Sequence, residues 1–329
     1  RGGPLTQPPD VSVVIVSFNT WSLLEQCLQR VAEQAAGTTV ETIVVDCASQ
    51  DGSADHVAER FPAVRLIRAT ENLGFGPANN RGFEVATGRY LVLLNSDAFL
   101  APDTLARAVA LMARHPDAGI GGARLVGEEG APQPSARAFP SVWRDALVMS
   151  GLAARYPRSR VLGVPDRTWA DPDVAARVDW VPGAFMIAPR TLIAQLGGFD
   201  PRFFLYYEEV DLCRRVRAAG KAVWYWPALE VVHVGGASSR TVTGQVFSET
   251  GAQLEQWRMR SRFLYYSTHH GAGACRAWQL ERGYLRMRAW RNARRGDTAR
   301  AQAFRRLAER CDAAWAETEG GRVSPPAPW

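Results

Sequence analysis

The stretch Val11-Ser12-Val13-Val14-Ile15-Val16-Ser17 decides the fold, because it is a nearly continuous apolar run that is too short for a buried helix. Similar short runs occur at Val40–Asp46, Val64–Arg68 and Tyr90–Leu94, and a helical pattern follows each of the four. Strands that are apolar at almost every position are typical of parallel sheets covered on both faces by helices. We therefore predict an α/β fold with a mostly parallel sheet.

The helical patterns in the first half extend from Trp21 to about Ala36 and over Ser53–Arg60, Pro77–Ala86 and Pro102–Arg114. Between Ala131 and Asp173 the pattern is less regular, and we predict a mobile loop there with one helix around Val142–Leu152. A helix over Glu209–Ala219 is expected to end at Gly220, a residue type common just after helices. The last elements are two strands and a mostly helical segment, at Ala222–Trp226, Glu230–His233 and Gln253–Trp315.

The composition is that of a globular protein, with 47% hydrophobic residues and a net charge of +6. The charge is uneven, because the chain from Gly251 onward contains 15 arginines, no lysine and seven acidic residues. Five scattered cysteines without a CxxC spacing argue against a disulfide framework or a zinc site and are compatible with a reducing compartment. No apolar run approaches the roughly 18 residues of a membrane span. We therefore expect a cytoplasmic protein.

Polar side chains follow the predicted strands at the points where they end. They belong to Phe18-Asn19-Thr20, Asp46-Cys47-Ala48-Ser49, Glu71–Gly76 and Asn95-Ser96-Asp97. Ligands of parallel sheets bind beyond the carboxyl ends of the strands, so these residues predict a binding site at one edge. The site is not a dehydrogenase fingerprint, because Gly74-Phe75-Gly76 lacks the third glycine and does not follow the first strand.

Two acids at this edge each have two interpretations. Asp46 is placed to accept the imide N–H of a uracil or thymine ring, or to cap a helix that begins near Asp51. Asp97 is placed to bind Mg²⁺ or Mn²⁺, which would neutralise a nucleotide diphosphate, or to form a turn with Asn95 before Pro102. The residues alone leave both questions open.

A cluster of three acids, Glu208, Glu209 and Asp211, follows an aromatic run. Carboxylates beside aromatic walls tend to have raised pKa values, which suits a general base. The alternative is a helix N-terminus whose dipole attracts acids. His233 ends a strand and is either a metal ligand, a phosphate contact or a structural histidine.

Taken in order, these motifs resemble the family-2 inverting glycosyltransferases, in particular the bacterial rhamnosyltransferase-like group. The resemblance covers about residues 11–240, and Arg260–Tyr266 with His269-His270 also matches the group's tail. The stretches that carry it are Val11–Asn19, Val44–Ser53, Glu71–Asn80, Leu94–Asp97, Gly198–Cys213 and His233–Gly236.

The resemblance implies a GT-A fold and an enzyme that moves a sugar from a dTDP-, UDP- or GDP-linked donor to a hydroxyl of a glycan, glycolipid or other acceptor, with inversion. Among sugars it favours rhamnose from dTDP-rhamnose. It implies one Mn²⁺ or Mg²⁺ ion held by Asp97 and His233, and a catalytic base at Glu209, with Glu208 or Asp211 as substitutes. The residues assigned to the nucleotide and donor are Val16, Ser17, Phe18, Asn19, Asp46, Cys47, Ser49, Asn72, Gly74, Phe75, Asn79, Asn95 and Ser96.

Three departures from the family pattern affect these assignments. Cys47 stands where Asn is usual, and the metal motif begins with Asn95 instead of Asp. Glu209 replaces the usual Asp, which moves the carboxylate by about 1 Å, and a displacement of that size can cost on the order of 100-fold in rate. A non-catalytic subunit that binds nucleotide sugars is therefore kept as an alternative function.

We divide the chain into a tail at 1–10, a catalytic domain at 11–250 and a helical extension at 251–329. The nucleotide-binding half of the catalytic domain is expected at about 11–125, and the acceptor half at about 126–250. In the extension, arginines interleave with aromatic residues up to position 315. This pattern fits peripheral contact with an anionic membrane at the inner face of the plasma membrane, or helices that pack their aromatics on the catalytic domain. A membrane-docking assembly factor is a third function that it would fit.

Further contacts to phosphates or to the acceptor are assigned to Trp180, Gly183, Arg258, Arg260 and Arg262. Nucleic-acid binding fits the charge of the extension, but the sequence contains no recognisable nucleic-acid-binding module, so we expect none.

Overall fold

The computed structural model describes residues 7–34, 37–235 and 252–325. These residues form two compact units. Within the described ranges, unit 1 comprises residues up to 138 together with 170–200 and 209–235, and unit 2 comprises 139–169, 201–208 and 252–325. Gly236, the boundary predicted at 250/251 and most of the predicted tail lie outside the described residues.

Unit 1 is an α/β unit whose elements largely follow the predicted pattern. Its strands are β1 (Val11–Ser17), β2 (Val40–Asp46), β3 (Arg65–Arg68), β4 (Tyr90–Asn95), β5 (Ala98–Leu100), β6 (Ala118–Val126), β7 (Ala176–Val178), β8 (Phe185–Pro189) and β9 (Ala222–His233). Its helices are α1 (Trp21–Ala32), α2 (Ser53–Arg60), α3 (Phe75–Val85), α4 (Thr104–Arg114), α7 (Arg190–Gln195) and α8 (Glu208–Ala218), of which only the first residue is assigned to unit 2.

The strands in the described chain form one sheet in the order β3-β2-β1-β4-β8-β6-β9-β5, and β7 pairs with β9. The strands β1 to β4 are parallel to one another, as predicted, and β6 is parallel to β9. The remaining pairs, which involve β5, β7 and β8, are antiparallel. The sheet is therefore mixed, with a parallel half that carries the predicted edge.

Burial explains why the first strand determines this arrangement. Val11, Val13, Val14 and Ile15 are fully buried although their side chains alternate between the two faces of the sheet. Apolar side chains on both faces require helices on both faces, and burying them supplies the main driving force for folding.

The sequence prediction missed β5, β6 and α7. The glycines of β6 explain why this strand is hard to recognise, since they break the apolar pattern. They are required by packing: a Cβ added at Gly121 would lie 1.9 Å from the Trp226 ring, and one at Gly122 would lie 2.5 Å from Val181. The glycines of β6 are thus explained by the close packing of Trp226 and Val181 against this strand.

Unit 2 consists mainly of helices. They are α5 (Val142–Ser150), α6 (Leu152–Arg155), α9 (Ala252–His270), α10 (Gly273–Arg294) and α11 (Thr298–Glu317). The last three pack around a core that includes Phe263, Leu285 and Cys311, and the rings of Trp278 and Trp315 stack 5.1 Å apart beside it. Of the helices in the described ranges, none combines the length and the apolar character that crossing a bilayer requires.

The aromatic residues of the predicted membrane-contacting segment are buried or half-buried, with the exception of Trp290. Trp257, Phe263, Tyr265 and Tyr266 are almost completely enclosed, and Trp290 is the large aromatic exposed in the described part of the extension. Burial of the aromatics favours the packing interpretation of this segment over the membrane interpretation.

Candidate active site

The carboxyl ends of β1, β2 and β4 lie side by side, because Ser17 pairs with Asp46 and Val16 pairs with Asn95. Side-chain hydrogen bonds join these ends. The Thr20 hydroxyl lies 3.0 Å from that of Ser96 and 3.4 Å from that of Ser17. The structure thus brings together the polar residues that the sequence places after three different strands.

Asn19 and Ser49 connect the loops that follow β1 and β2. The Asn19 N–H donates to Ser49 Oγ at 2.9 Å, and Asn19 Oδ1 accepts from the Gln50 N–H at 2.7 Å. Asn19 has a positive φ of 52°, a conformation that asparagine tolerates better than most residues. Val16 and Phe18 are partly buried beside this junction.

Asp46 is almost fully buried at the end of β2. Its Oδ1 accepts the Ser49 N–H at 3.0 Å, whereas its Oδ2 is buried and, within the described residues, accepts no hydrogen bond. Burial raises the pKa of Asp46, and the hydrogen bonds from Ser49 oppose this. Asp46 does not cap α2, whose N-cap residue is Gly52, and the N–H of its first residue, Ser53, donates to Asp51 at 3.0 Å. Asp46 therefore keeps one acceptor oxygen for a ligand N–H, and such a donor would remove the cost of an unsatisfied buried oxygen.

Cys47 joins the end of β2 to the loop before α3. Its N–H donates to the Ser17 carbonyl at 2.9 Å, and its sulfur accepts the Leu73 N–H. Burial raises the pKa of Cys47 to about 12, so the thiol stays protonated. Cys47 therefore adds no charge to this edge of the sheet.

The loop before α3 is shaped by its own polar side chains. Asn72 Oδ1 accepts the Gly74 N–H at 3.0 Å, and Gly74 has a φ of +78°, which favours glycine. The buried Asn79 donates to the Phe75 carbonyl at 2.9 Å. Asn72 and Asn79 thus order the backbone of this loop. Their predicted contact with the nucleotide or sugar stays a prediction.

Phe75 and Gly183 pack closely. A Cβ added at Gly183 would lie 3.1 Å from the Phe75 ring and 3.9 Å from Glu209 Cβ. The next residue, Ala184, accepts the Asn95 N–H at 3.1 Å. The short segment that contains Gly183 therefore lies beside Glu209 and beside the end of β4.

Asp97 and His233 meet where β5 pairs with β9. Ala98 lies opposite His233, and the Val234 N–H donates to the Asp97 carbonyl at 3.0 Å. His233 Nε2 lies 3.5 Å from Asp97 Oδ1, and both side chains are mostly buried. The backbone pairing thus fixes the two predicted metal ligands next to each other.

Gln133, which the sequence interpretation missed, holds His233 on the other side. Its Oε1 lies 2.9 Å from His233 Nδ1, and its Nε2 donates to the His233 carbonyl at 2.7 Å. With Gln133 Oε1 as the acceptor, a neutral His233 ring carries its proton on Nδ1, and its lone pair is on Nε2, the nitrogen that faces Asp97. Metal-binding histidines are commonly oriented by such a partner.

These residues fit a divalent cation held jointly with a ligand. Asn95 Nδ2 lies 3.3 Å from His233 Nε2, and Asn95 Oδ1 is buried and accepts no hydrogen bond from the part of the chain that is described. No group of three or more His, Cys, Asp or Glu side chains in the described ranges could hold a metal. Two protein ligands suit a cation whose other positions are filled by diphosphate oxygens and water.

Glu209 lies in the first turn of α8. Its side chain is partly buried, and its Oε2 is buried without a hydrogen-bond donor in the described chain. Burial raises the pKa of Glu209, and the nearby positive charge of Arg137 lowers it. A partly desolvated carboxylate that can be reached by an acceptor hydroxyl suits a general base.

The neighbouring acids are placed differently. Asp211 is buried and its Oδ2 accepts from Arg215 Nε at 2.7 Å, in an ion pair within α8. Arg215 also donates to the Leu196 carbonyl, so this pair supports the packing of the helix. Glu208 is buried at the first position of α8, where an acid also complements the helix dipole. The Oε2 atom of Glu208 is buried as that of Glu209 is. The contacts therefore set Asp211 apart from the two glutamates, and the assignment of the base to Glu209 stays a prediction.

Arg137 stacks on Trp180 and lies close enough to Glu209 to lower its pKa. The Arg137 guanidinium lies 4.5 Å from the centre of the Trp180 ring, and the two backbones pair through hydrogen bonds. Trp180 Nε1 donates to the Ala138 carbonyl at 3.0 Å. Arg137 was missed because it lies in the stretch without periodicity, where the sequence offers no signal. The predicted contact of Trp180 and Gly183 with phosphate or acceptor stays a prediction.

The three arginines predicted to contact phosphates are already paired with carboxylates in unit 2. Arg258 contacts Glu255 at 2.6 Å and Glu281 at 2.7 Å. Arg260 donates to Glu317 at 2.7 Å. Arg262 is only 1% exposed and bridges Glu281 and Asp145. Ion pairing explains the burial of these charges, and a phosphate-binding role stays a prediction.

Comparison with known proteins identifies relatives of this sequence. The family described as "Glycosyl transferase family 2" matches residues 12–151. The N-acetylglucosaminyl-diphospho-decaprenol L-rhamnosyltransferase of Mycobacterium tuberculosis is 30% identical over 232 residues, which is 67% of this chain and 75% of that protein. The rhamnosyltransferase WbbL of Escherichia coli is 32% identical over 88 residues, or 27% of this chain and 30% of that protein.

Solved structures show the same fold at low sequence identity. The mannosyltransferase PcManGT from Pyrobaculum calidifontis, in complex with GDP-Man and Mn²⁺, is 20% identical with a TM-score of 0.54. The superposition covers 96% of this chain and 89% of the mannosyltransferase chain. GalNAc-T7 with UDP, GalNAc and Mn²⁺ is 16% identical with a TM-score of 0.55, covering 80% and 50%. The predicted GT-A fold is confirmed.

Proposed function

This chain belongs to glycosyl transferase family 2, and we propose that it transfers a sugar from a nucleotide-diphosphate donor to an acceptor hydroxyl with inversion. The observation that carries the proposal is the approach of Asp97 Oδ1 to His233 Nε2, at 3.5 Å, in the same unit as the buried carboxylate oxygen of Glu209. The carboxyl edge of a parallel sheet, two ligands for a cation and one desolvated carboxylate are what this reaction requires.

The donor would lie along the carboxyl edge of β1, β2 and β4. Asp46 Oδ2 would accept the imide N–H of thymine or uracil, which lies between two ring carbonyls. The loop that Asn72 and Gly74 order would cover the nucleotide. Ser96 and Asn95, at the end of β4, lie next to Asp97 and would face the donor's ribose and diphosphate.

Asp97 and His233 would hold Mn²⁺ or Mg²⁺ together with oxygens of the donor diphosphate. The bound cation supplies Lewis-acid stabilisation of the departing diphosphate, so no proton has to be delivered to it. Gln133 would keep His233 in the tautomer that presents Nε2.

Glu209 would remove the proton from the acceptor hydroxyl. The hydroxyl oxygen then forms a bond to the anomeric carbon while the bond from that carbon to the diphosphate oxygen breaks on the opposite face. Configuration is inverted, the proton stays on Glu209 and the diphosphate leaves as an anion. Burial raises the pKa of Glu209, and the positive charge of Arg137 opposes this and would favour the ionised form of the base.

The similarity to the mycobacterial rhamnosyltransferase supports L-rhamnose from dTDP-rhamnose as the donor sugar and a lipid-diphosphate-linked sugar as the acceptor. An acceptor of that kind is confined to a membrane. The enzyme would therefore act at the inner face of the plasma membrane, in peripheral contact with it.

The test is a transfer assay with dTDP-rhamnose, UDP-sugars and GDP-sugars, with and without Mn²⁺, on a lipid-diphosphate-linked N-acetylglucosamine acceptor. We expect transfer that requires the cation and a product whose anomeric configuration, read by NMR, is opposite to that of the donor. The Glu84→Gln variant on the exposed face of α3 is the control and should transfer normally. Tight donor binding without turnover on any acceptor would instead support a non-catalytic nucleotide-sugar-binding subunit.

A further inference from the structure

Large apolar side chains are exposed on one segment of unit 2. The described residues contain ten exposed large hydrophobic side chains, and five of them lie between Trp143 and Val161, on α5, on α6 and directly after α6. Their exposed fractions are 61% for Trp143, 55% for Val148, 40% for Leu152, 51% for Tyr156 and 64% for Val161. Scattered single exposures are ordinary, but a concentration of this kind marks an interaction surface.

The charge of the same segment is positive. Arg155 and Arg158 are exposed, and neither guanidinium has a hydrogen-bond or carboxylate partner among the residues that the structure describes. Arg160 is exposed and stacks on the Trp169 ring at 5.3 Å. Between positions 142 and 161 the sequence contains one acid, Asp145. The outer side of the segment thus combines arginines with tryptophan, tyrosine and aliphatic side chains.

The inner side of α5 is firmly attached to the rest of unit 2. Asp145 accepts from the buried Arg262 at 2.7 Å and from the Tyr266 hydroxyl at 2.5 Å. Leu147 is buried, and Ser141 caps the start of the helix by accepting the Arg144 N–H. The single acid of the segment is therefore paired with Arg262 and Tyr266 inside unit 2, and α5 is held with Trp143 and Val148 exposed.

We propose that this surface docks the protein on an anionic phospholipid bilayer. The α5–α6 surface, defined as the exposed side chains of Trp143, Val148, Leu152, Tyr156 and Val161 with Arg155 and Arg158, has the composition of interfacial membrane-binding helices. Apolar and aromatic side chains enter the headgroup region, and unpaired arginines are attracted to anionic lipids. An anionic lipid surface fits better than an acidic protein, because its headgroups pair with the arginines and its acyl boundary takes up the exposed apolar side chains.

The α5–α6 surface gives the proposed enzyme a way to reach a lipid-linked acceptor, and in this respect it rests on the proposed function. Docking itself requires neither donor nor acceptor. It also places the membrane contact on residues other than the C-terminal helices, whose aromatics are largely buried and whose arginines 258, 260 and 262 are paired.

The test is cosedimentation of the whole protein with phosphatidylcholine vesicles, with and without phosphatidylglycerol. We expect binding that requires the anionic lipid and weakens with salt. Removing two arginines with Arg155→Ser/Arg158→Ser should weaken binding by about 30-fold, since each basic residue near the surface contributes about a factor of five. Trp143→Ser/Leu152→Ser should weaken it by about tenfold or more.

The matched control is Met287→Ser/Trp290→Ser, which removes two similarly exposed apolar side chains from α10. This control should bind vesicles as the unsubstituted protein does. Circular dichroism and donor binding should be unchanged in all three variants. Slower hydrogen exchange of the peptide 142–161 on vesicle binding, measured on the unsubstituted protein, gives a second readout that needs no variant.

Absence of binding to anionic vesicles would overturn the proposal. So would binding that survives both α5–α6 variants, or binding lost only in the α10 control. Failure of transfer with intact vesicle binding would contradict the proposed function and leave the docking surface standing.

Discussion

We predict that the hydrogen bond between Gln133 and His233 strengthens cation binding. In Gln133→Leu, His233 Nδ1 loses the acceptor at 2.9 Å and its carbonyl loses the donor at 2.7 Å. The ring is then free to place its proton on Nε2, the nitrogen that faces Asp97. A metal-binding histidine must present a lone pair, so the substitution penalises metal binding while leaving both proposed ligands in the sequence.

The expected magnitude is a 10- to 100-fold weaker affinity for Mn²⁺, or about 1.4 to 2.7 kcal/mol, the usual effect of removing such an orienting partner. Isothermal titration of Mn²⁺ into protein saturated with dTDP measures it directly. Gln133→Glu retains an acceptor at Nδ1 and should largely restore binding. Gln29→Leu on the exposed side of α1 is the control.

Two results would refute this reasoning. The first is unchanged Mn²⁺ affinity in Gln133→Leu with a clear loss in His233→Ala, which would show that the tautomer does not matter. The second is unchanged affinity in both variants, which would remove His233 from the metal site altogether.

Three further outcomes follow from the same contacts. Asp46→Asn should weaken dTDP binding by about 10- to 100-fold with little change in kcat, since a hydrogen bond to a charged acceptor contributes about 1.5–3 kcal/mol. Calorimetry tests this, and unchanged affinity would show that another residue binds the thymine ring. Arg137→Gln removes a positive charge that lowers the pKa of Glu209, so the pKa rises and the base is protonated up to a higher pH. The acid limb of the kcat/KM profile should therefore move to higher pH, and a shift to lower pH would contradict the assignment. Arg262→Leu leaves two carboxylates without their buried partner and should lower the free energy of unfolding by about 3–5 kcal/mol in chemical denaturation; a loss below 1 kcal/mol would show that the ion pairs are dispensable.

The parallel half of the sheet was predictable because a continuous apolar run that is too short for a buried helix is compatible with little besides a buried strand. The strands β1, β2 and β4 begin where predicted, and the polar residues after them meet as parallel topology requires. Helix ends were less accurate. The helix α3 begins at Phe75, two residues before Pro77, because Gly74 and Asn72 turn the chain earlier.

The second half was harder to predict, because its local pattern is set by tertiary contacts. The glycines of β6 accommodate Trp226 and Val181, which are distant in sequence. Gln133 and Arg137 lie in irregular chain with no periodicity or motif, and only the fold brings them to His233 and to Trp180. A local pattern cannot report such neighbours.

Composition and burial point to different candidate membrane-contacting segments. Arginines interleaved with aromatic residues in the C-terminal helices resemble a membrane-binding pattern. Apart from Trp290, however, those aromatics are buried or half-buried, and several of them belong to the core of unit 2 or pack against it. The segment around α5 has fewer charged residues and no such pattern, yet it carries five of the ten exposed large hydrophobic side chains of the described residues. Burial, which composition does not encode, separates the two cases.

Glu209→Gln tests the central claim most directly, because the amide keeps the size of the side chain and removes its basicity. The measurement is the rate of sugar transfer in a single turnover, alongside the Kd for the donor with Mn²⁺. The proposed mechanism predicts a rate lower by at least about 100-fold, the lower end of general-base contributions, with a donor Kd unchanged within a factor of about two or three. Transfer at the unsubstituted rate would contradict it and assign the proton to another group.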